Sequence, residues 1–264
     1  MNINVKIVVT LTSFKGRINQ VYLVIENILH QTIKPDLIYL NLSVEEFPNK
    51  ENDLPKDLVE LSNNELSFII NWVEGKNTKA FKKIIPILTY LDNDDIIFFI
   101  DDDILFKPEV LENRINQFIK NDYNVVIAAP WKASKYYKHS KVGPSTLCKK
   151  SFFNNYELFY NDYIINSGHD DNFYETIFFL NGIYSIRCEN YFTYSTIDEE
   201  TPECGIIYND NINSKRTNIM NYGVSDKIYK KLLEIFNLND YTQLFGILNN
   251  EDNIKIIKEK FVLN

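Results

Sequence analysis

The stretch IIFFIDDD, residues 96–103, decides the fold of this chain. Five consecutive apolar residues without alternation are typical of a strand that is covered on both faces, as in a parallel sheet. Asp101, Asp102 and Asp103 follow directly at the carboxyl end of that strand. Open α/β sheets bind ligands in the crevice outside the carboxyl ends of their strands. The stretch therefore predicts a buried central strand with a polar site at its end.

The residues before this stretch alternate between short apolar runs and helical periodicity. The apolar run at 5–9 predicts a first strand, and apolar residues between Ile18 and Leu29 recur at helical spacing. Further strands are predicted at 37–42 and 66–73, and a helix is predicted at 77–91, kinked by a proline. This alternation of strand and helix predicts a parallel sheet.

The residues after the three aspartates continue the same rhythm for one more unit. The patterns predict a helix at 110–119, a strand at 124–129 and helices at 171–180 and 226–236. The aromatic region beyond Trp131 shows no pattern that assigns it to elements. The predicted class is α/β, with a mostly parallel sheet flanked by helices and a small helical extension at the C-terminus.

Composition and charge limit the function classes. The chain has 264 residues, 45% hydrophobic and 24% charged, which predicts one catalytic-sized globular domain. A formal net charge of −8 argues against a nucleic-acid partner, because such faces are basic. The sequence shows neither a membrane span nor the layout of a signal peptide, so we expect a cytoplasmic protein. Cys148, Cys188 and Cys204 lie far apart, which suits reduced thiols.

The three aspartates are the strongest candidate for chemistry. Adjacent carboxylates repel one another, and a divalent cation would offset that repulsion. Asp101 and Asp103, two positions apart, can supply oxygen ligands to Mg²⁺ or Mn²⁺, with water and phosphate oxygens completing the shell. The alternative is a solvated turn whose aspartates cap the helix that follows Pro108.

Polar residues near the first strand and in segment 77–83 suit a phosphorylated ligand. Hydroxyls at the end of the first strand can bind a base and ribose, although a plain helix-capping turn also accounts for Ser13. Cations can neutralise a diphosphate and its developing charge, although exposed lysines on helices are usually solvated. The candidates are Thr10, Thr12, Ser13, Arg17, Lys79 and Lys82.

These features together resemble the bacterial GT-A-fold glycosyltransferases, in which a D-x-D motif ends a central strand and holds a nucleotide-sugar diphosphate through a metal. The first strand with Arg17, the segment NTKAFKK at 77–83 and the segment GHDD at 168–171 resemble further elements of capsule and lipopolysaccharide sugar transferases. The resemblance covers about residues 5–185. It implies a catalytic domain at 1–214, with a nucleotide-binding part to about 107 and an acceptor-binding part to 214. Residues 215–264 would form the helical extension, packed on the same domain.

The resemblance also implies roles for the candidate residues. Asp101 and Asp102 would contact the nucleotide sugar, and Asp101 and Asp103 would hold Mn²⁺ or Mg²⁺. Asp171 or Asp170 would remove the proton of the acceptor hydroxyl in an inverting reaction, although both also suit a helix N-terminus. The implied donor is UDP- or GDP-linked, and the implied acceptor is a glycan or a lipid-linked saccharide in surface polysaccharide synthesis. A lipid-linked acceptor would bring the protein to the periphery of the inner face of the cytoplasmic membrane.

Two other interpretations stay open. A phosphohydrolase of the haloacid-dehalogenase type also places D-x-D after an apolar strand, but Ile104 and Leu105 stand where that family has Gly and Thr. A non-catalytic protein that binds a nucleotide or sugar would keep the aspartates and lack a base. The histidine that often completes the metal site in GT-A enzymes is also missing, since none follows His169. The donor sugar, the acceptor, the stereochemical outcome and the oligomeric state do not follow from the sequence.

Overall fold

The computed structural model describes residues 5–128, 142–143, 145–167, 170–188, 194–195 and 224–263. Seven strands form one sheet in the spatial order 3-2-1-4-7-6-8, and two short strands form a second sheet. The strands are β1 (Ile7–Thr12), β2 (Leu37–Ser43), β3 (Phe68–Val73), β4 (Ile96–Ile100), β5 (Leu105–Phe106), β6 (Val125–Ala128), β7 (Ser145–Lys149), β8 (Tyr184–Arg187) and β9 (Tyr194–Ser195).

Helices flank the large sheet in the part of the chain that the structure describes. They are α1 (Val21–Leu29), α2 (Lys56–Asn64), α3 (Val110–Lys120), α4 (Asp162–Ser167), α5 (Asp170–Leu180), α6 (Val224–Phe236) and α7 (Glu251–Lys260). Short 3-10 segments include Lys79–Lys83 and Ile85–Ile87 before β4, and Lys150–Phe153 after β7. The predicted α/β class is confirmed.

Most strand pairs in the large sheet are parallel. β1 pairs in parallel with β2 and with β4, β2 pairs in parallel with β3, and β6 does so with β8. β7 runs antiparallel to both β4 and β6. All five residues of β4 are buried, as their unbroken apolar run predicts. Because β1 and β4 are parallel neighbours, the polar residues that follow them meet at one edge of the sheet.

The structure differs from the sequence-based assignments in several places. The helix predicted at 77–91 is wrong, because the segment forms two 3-10 turns instead. Lys79 has a φ of 56°, outside the helical region, and Pro86 lacks the amide hydrogen that a continuous helix needs. Helix α2 and strand β7 were not predicted, because the first lies in a polar segment and the second in the aromatic region.

Helix α6 packs on α5, and the chain that follows it approaches the end of α5. The Thr176 Oγ1 lies 2.9 Å from the Ser225 Oγ, and the rings of Phe179 and Tyr229 are 5.8 Å apart. Gly182 has a φ of 75°, and a Cβ there would lie 3.2 Å from the Cα of Gly246. This close approach of two chain segments favours glycine at position 182.

Candidate active site

Five aspartates meet at the edge of the sheet where β4 ends. Asp101, Asp102 and Asp103 follow β4, and Asp170 and Asp171 begin α5. Two buried cations lie among these carboxylates, one from the loop after β1 and one from the 3-10 segment Lys79–Lys83. The predicted motif and the predicted base are therefore parts of one charged cluster.

The first cation, Arg17, joins two of the three adjacent aspartates. Its Nη1 lies 2.7 Å from the Asp102 Oδ1 and 2.5 Å from the Asp103 Oδ2. Ser13 donates a hydrogen bond of 2.6 Å to the other oxygen of Asp102. Burial lowers the pKa of Arg17, but the charges of Asp102 and Asp103 outweigh burial and raise it above its ordinary value. Arg17 is therefore a permanent positive charge here.

A tight turn after β1 sets the position of Arg17. The Phe14 carbonyl accepts hydrogen bonds from the amides of Arg17, at 2.9 Å, and of Ile18, at 3.1 Å. The Arg17 guanidinium carbon lies 5.6 Å from the centre of the Phe14 ring, a distance at which cation and ring attract. A Cβ on Gly16 would lie 2.6 Å from that ring, so glycine lets the ring occupy this place.

The second cation, Lys83, connects the aspartates after β4 to those of α5. Its Nζ lies 2.7 Å from the Asp101 Oδ1, 3.0 Å from the Asp170 Oδ2 and 3.9 Å from the Asp171 Oδ1. The Lys83 side chain is 5% exposed. Burial lowers the pKa of Lys83, but the three aspartates outweigh it and raise that pKa well above its ordinary value. The ammonium therefore stays charged.

The backbone of Lys83 is fixed by polar side chains of two strands. Its carbonyl accepts hydrogen bonds from the Thr10 Oγ1, at 2.5 Å, and from the Asn41 Nδ2, at 3.4 Å. Asn41 also donates to the Thr10 Oγ1 at 2.9 Å, and its Oδ1 accepts a bond of 2.7 Å from Asn71. The Thr12 hydroxyl donates to the Asn41 carbonyl. These bonds hold the 3-10 segment against β1 and β2.

The structure brings together some predicted site residues and places others apart. The charged cluster contains Ser13, Arg17, Asp101, Asp102, Asp103, Asp170 and Asp171. Thr10 and Thr12 lie beneath it, with hydroxyls that bond to main-chain carbonyls. The Lys82 ammonium points elsewhere, to Asn77 at 2.5 Å and Glu46 at 3.3 Å, and burial lowers its pKa. Lys79 is exposed.

Sequence reasoning missed two residues that organise this site, Lys83 and Asn41. Lys83 follows Lys82 directly, and no local pattern distinguishes the two. Asn41 interrupts an apolar strand, which is a weak signal of a polar partner on a neighbouring strand. The aromatic side chains Phe152, Phe153 and Phe159 are core residues, and Trp131, Gly168 and His169 lie outside the described residues.

The cluster carries an excess of negative charge. Carboxylate oxygens are the ligands that Mg²⁺ and Mn²⁺ prefer. Five carboxylates and the two cations, Arg17 and Lys83, give this cluster a formal charge of −3. Within the described ranges, no three side chains of the Asp, Glu, His and Cys types are grouped to hold a metal ion. The Asp101 Oδ1 contacts Lys83 and the Asp103 Oδ2 contacts Arg17, so a metal ion on this pair would share the carboxylates with those two cations.

The two aspartates of α5 differ in exposure. The Asp170 side chain is 10% exposed and lies close to Lys83, whereas the Asp171 side chain is 29% exposed and lies farther from it. Asp171 is therefore the more accessible carboxylate of the pair. Tyr174, one turn along the helix, is buried, and burial together with the charge of Asp170 raises the pKa of Tyr174 well above its ordinary value.

Comparison with solved structures shows which fold the chain adopts. S. aureus TarS 1–349 in complex with UDP-GlcNAc aligns with 96% of this chain and 71% of its own length, at 11% identity and a TM-score of 0.58. The mannosyltransferase PcManGT from Pyrobaculum calidifontis, in complex with GDP-Man and Mn²⁺, aligns with 97% of this chain and 73% of its own, at 11% identity and a TM-score of 0.57. At such identities the likeness concerns the fold, and it confirms the predicted GT-A architecture.

Further comparisons do not extend the likeness beyond the fold. In another structure of S. aureus TarS 1–349, the match covers 72% of this chain and 60% of that one, at 12% identity and a TM-score of 0.52. In that alignment the chain spans less than two thirds of the length of the TarS fragment. It matches no protein-family model and no curated protein.

Among the helices that the structure describes, none is long and apolar enough to cross a membrane.

Proposed function

We propose that this protein is a metal-dependent glycosyltransferase that moves a sugar from a nucleoside-diphosphate sugar to a hydroxyl of a glycan or glycolipid. One observation carries the proposal, the convergence of Asp101–Asp103 and Asp170–Asp171 on Arg17 and Lys83 at the edge of a GT-A sheet. Structures with this fold hold UDP-GlcNAc, or GDP-Man with Mn²⁺, which supports the choice of donor and metal.

The donor would bind over the three adjacent aspartates. Asp101 and Asp103 would hold Mn²⁺ or Mg²⁺, and the bound ion would supply positive charge to the departing diphosphate. Asp102 is buried between Ser13 and Arg17, and it fixes the loop after β1 where the nucleotide would lie. Thr10 and Thr12 would support that loop from β1, and Lys79 would approach the diphosphate from the preceding segment. The Lys82 ammonium is held away from the donor by Glu46 and Asn77.

The acceptor would lie on the side of α5. Asp171 would accept the proton of the acceptor hydroxyl as its oxygen attacks the anomeric carbon, which inverts the configuration at that carbon. Two observations favour Asp171 over Asp170, its greater exposure and its longer distance to Lys83. A base that stays accessible to the acceptor can exchange its proton with solvent after each turnover.

The biological setting of the proposal follows from the resemblance to capsule and lipopolysaccharide sugar transferases. The transferred group would be a hexose or a related sugar, and the product would be a surface polysaccharide. The enzyme would act in the cytoplasm, at the periphery of the membrane where the acceptor is lipid-linked.

Ligand-induced stabilisation tests the proposal directly. The midpoint of thermal unfolding is measured with UDP, GDP, CMP or TDP, each with and without Mn²⁺. A ligand at a hundredfold excess over its dissociation constant stabilises the folded state by about 2.7 kcal/mol. We expect one nucleotide to raise the midpoint in a metal-dependent way in the parent protein and not in Asp101→Ala/Asp103→Ala.

The matched control is Asp92→Ala/Asp94→Ala, which removes two exposed aspartates with the same spacing from the opposite end of β4. This control should keep the shift. The nucleotide that binds then selects the sugar donors for an assay of nucleoside diphosphate release with saccharide acceptors. A shift that survives Asp101→Ala/Asp103→Ala, or binding without transfer to any acceptor, would overturn the proposal.

A further inference from the structure

We propose that Lys83 is a positioning residue that couples the aspartates after β4 to the acceptor-side helix α5. The inference rests on the proposed function, which places the donor at the aspartates after β4 and the acceptor at α5. Lys83 itself contacts Asp101, Asp170 and Asp171, and it acts through them.

Both ends of Lys83 are held by different parts of the fold. Its carbonyl accepts hydrogen bonds from Thr10 of β1 and Asn41 of β2. Its ammonium contacts Asp101 after β4 and Asp170 at the start of α5, and both distances are 3.0 Å or less. One buried side chain thus connects the nucleotide-binding strands to the helix that carries the proposed base.

The charge of Lys83 sets the spacing between these carboxylates. Without the ammonium, Asp101 and Asp170 would face each other in a partly buried site, where their repulsion is screened less than in water. The start of α5 would then move away from β4, and Asp171 would move with it. A base displaced by about 1 Å can cost on the order of 100-fold in rate.

The same charge opposes a metal ion on Asp101. The Lys83 ammonium lies 2.7 Å from the Asp101 Oδ1, so a divalent cation on that carboxylate is repelled by a positive charge nearby. Removal of the ammonium should therefore strengthen Mn²⁺ binding while it weakens transfer to the acceptor. A role in folding alone predicts the opposite for Mn²⁺, because a loosened site binds less well.

The test compares Lys83→Met, Lys83→Arg and Lys82→Met with the parent. Lys83→Met keeps the side-chain length without the charge, and Lys83→Arg keeps the charge. Lys82→Met removes the neighbouring buried ammonium, which contacts Glu46 and Asn77, and it controls for the loss of a buried lysine. Mn²⁺ affinity is measured by electron paramagnetic resonance, nucleotide affinity by calorimetry, and transfer by steady-state kinetics.

For Lys83→Met we expect Mn²⁺ affinity to rise about tenfold, because a positive charge beside Asp101 is removed. We expect kcat to fall about 100-fold, the cost of a base displaced by about 1 Å. The KM for the donor should change less than about threefold. Lys83→Arg should keep Mn²⁺ affinity near that of the parent and recover part of kcat. Lys82→Met should not strengthen Mn²⁺ binding.

Weaker or unchanged Mn²⁺ binding by Lys83→Met, or a kcat within about threefold of the parent value, would overturn the inference. Urea unfolding monitored by circular dichroism verifies that each variant is folded. If Lys83→Met does not fold, Lys83→Met/Asp170→Asn, which also removes one facing carboxylate, is compared with Asp170→Asn in the same way. If the parent binds Mn²⁺ and transfers no sugar, the proposed function fails, and the Mn²⁺ comparison still decides whether Lys83 is coupled to Asp101.

Discussion

Ser13 and Asp102 are joined by a hydrogen bond of 2.6 Å from the serine Oγ to the carboxylate Oδ2. They follow two strands that pair in parallel, β1 and β4, and both side chains are buried. The other oxygen of Asp102 contacts Arg17. Asp102 is therefore a structural connection between two loops, and the carboxylates of its two neighbours, Asp101 and Asp103, are more accessible.

Loss of this bond should destabilise the protein. Ser13→Ala leaves a buried carboxylate oxygen without its hydroxyl donor, and we expect the free energy of unfolding to fall by about 1–3 kcal/mol. Urea denaturation monitored by circular dichroism measures this change. Ser62→Ala, at a half-buried serine of α2, is the control and should change stability by less than about 0.5 kcal/mol. Equal stabilities of Ser13→Ala and the control would contradict the prediction.

Strand β4 could be predicted from the sequence, whereas the hydrogen bond between Ser13 and Asp102 could not. The unbroken apolar run predicted a buried strand, and the three aspartates at its end predicted a polar site, because both signals are local. Ser13 and Asp102 are 89 positions apart, and their contact depends on the order of strands in the sheet. The sequence placed both residues at strand ends without deciding that β1 and β4 are neighbours.

The two aspartates of α5 should respond differently to amide substitution. Asp171→Asn should lower kcat about 10²- to 10⁴-fold, the usual contribution of a general base, and leave UDP or GDP affinity within about threefold. Asp170→Asn removes a carboxylate that contacts Lys83, and we expect a smaller loss of kcat together with a change in stability. Steady-state kinetics and calorimetric titration separate these effects. A larger loss of kcat in Asp170→Asn would reverse the assignment of the base.

A further prediction concerns Asn41, whose amide group joins β1, β2 and the segment of Lys83. Its Nδ2 donates to the Thr10 Oγ1 and the Leu11 carbonyl, and an aspartate at this position cannot donate. Asn41→Asp would place a buried carboxylate against carbonyl oxygens, so we expect a loss of about 3 kcal/mol or more in unfolding free energy. Urea denaturation is the measurement, and Asn63→Asp on the exposed face of α2 is the control. Similar stabilities of the two variants would show that the network contributes little.

Asn41 and Lys83 also show why part of the site escaped prediction. Both are polar residues whose partners lie on other elements, so neither takes part in a local pattern. The helix predicted at 77–91 rested on apolar spacing, which 3-10 turns can mimic over a few residues. In the structure, Lys82 and Lys83 of that segment have different partners. Among the ion pairs described, Lys82 contacts Glu46, whereas Lys83 contacts Asp101 after β4 and Asp170 at the start of α5.

The last prediction concerns alkaline pH and Tyr156, which lies away from the charged cluster. Burial, with smaller contributions from the charges of Glu157 and Tyr160, raises the pKa of Tyr156 from 10.0 to about 12. The folded protein therefore holds this proton more tightly than the unfolded chain does. The resulting stabilisation is complete below pH 10 and is lost as the pH rises from 10 through 12. Because the ring is partly solvated, we expect the unfolding free energy of the parent to fall by about 1–2 kcal/mol relative to Tyr156→Phe across this range.

Urea denaturation of both proteins at several pH values measures this difference, with Tyr90→Phe, at a largely exposed tyrosine, as the control. A difference between parent and Tyr156→Phe that stays constant from pH 9 to about pH 12 would show that burial does not hold this phenol in its neutral form.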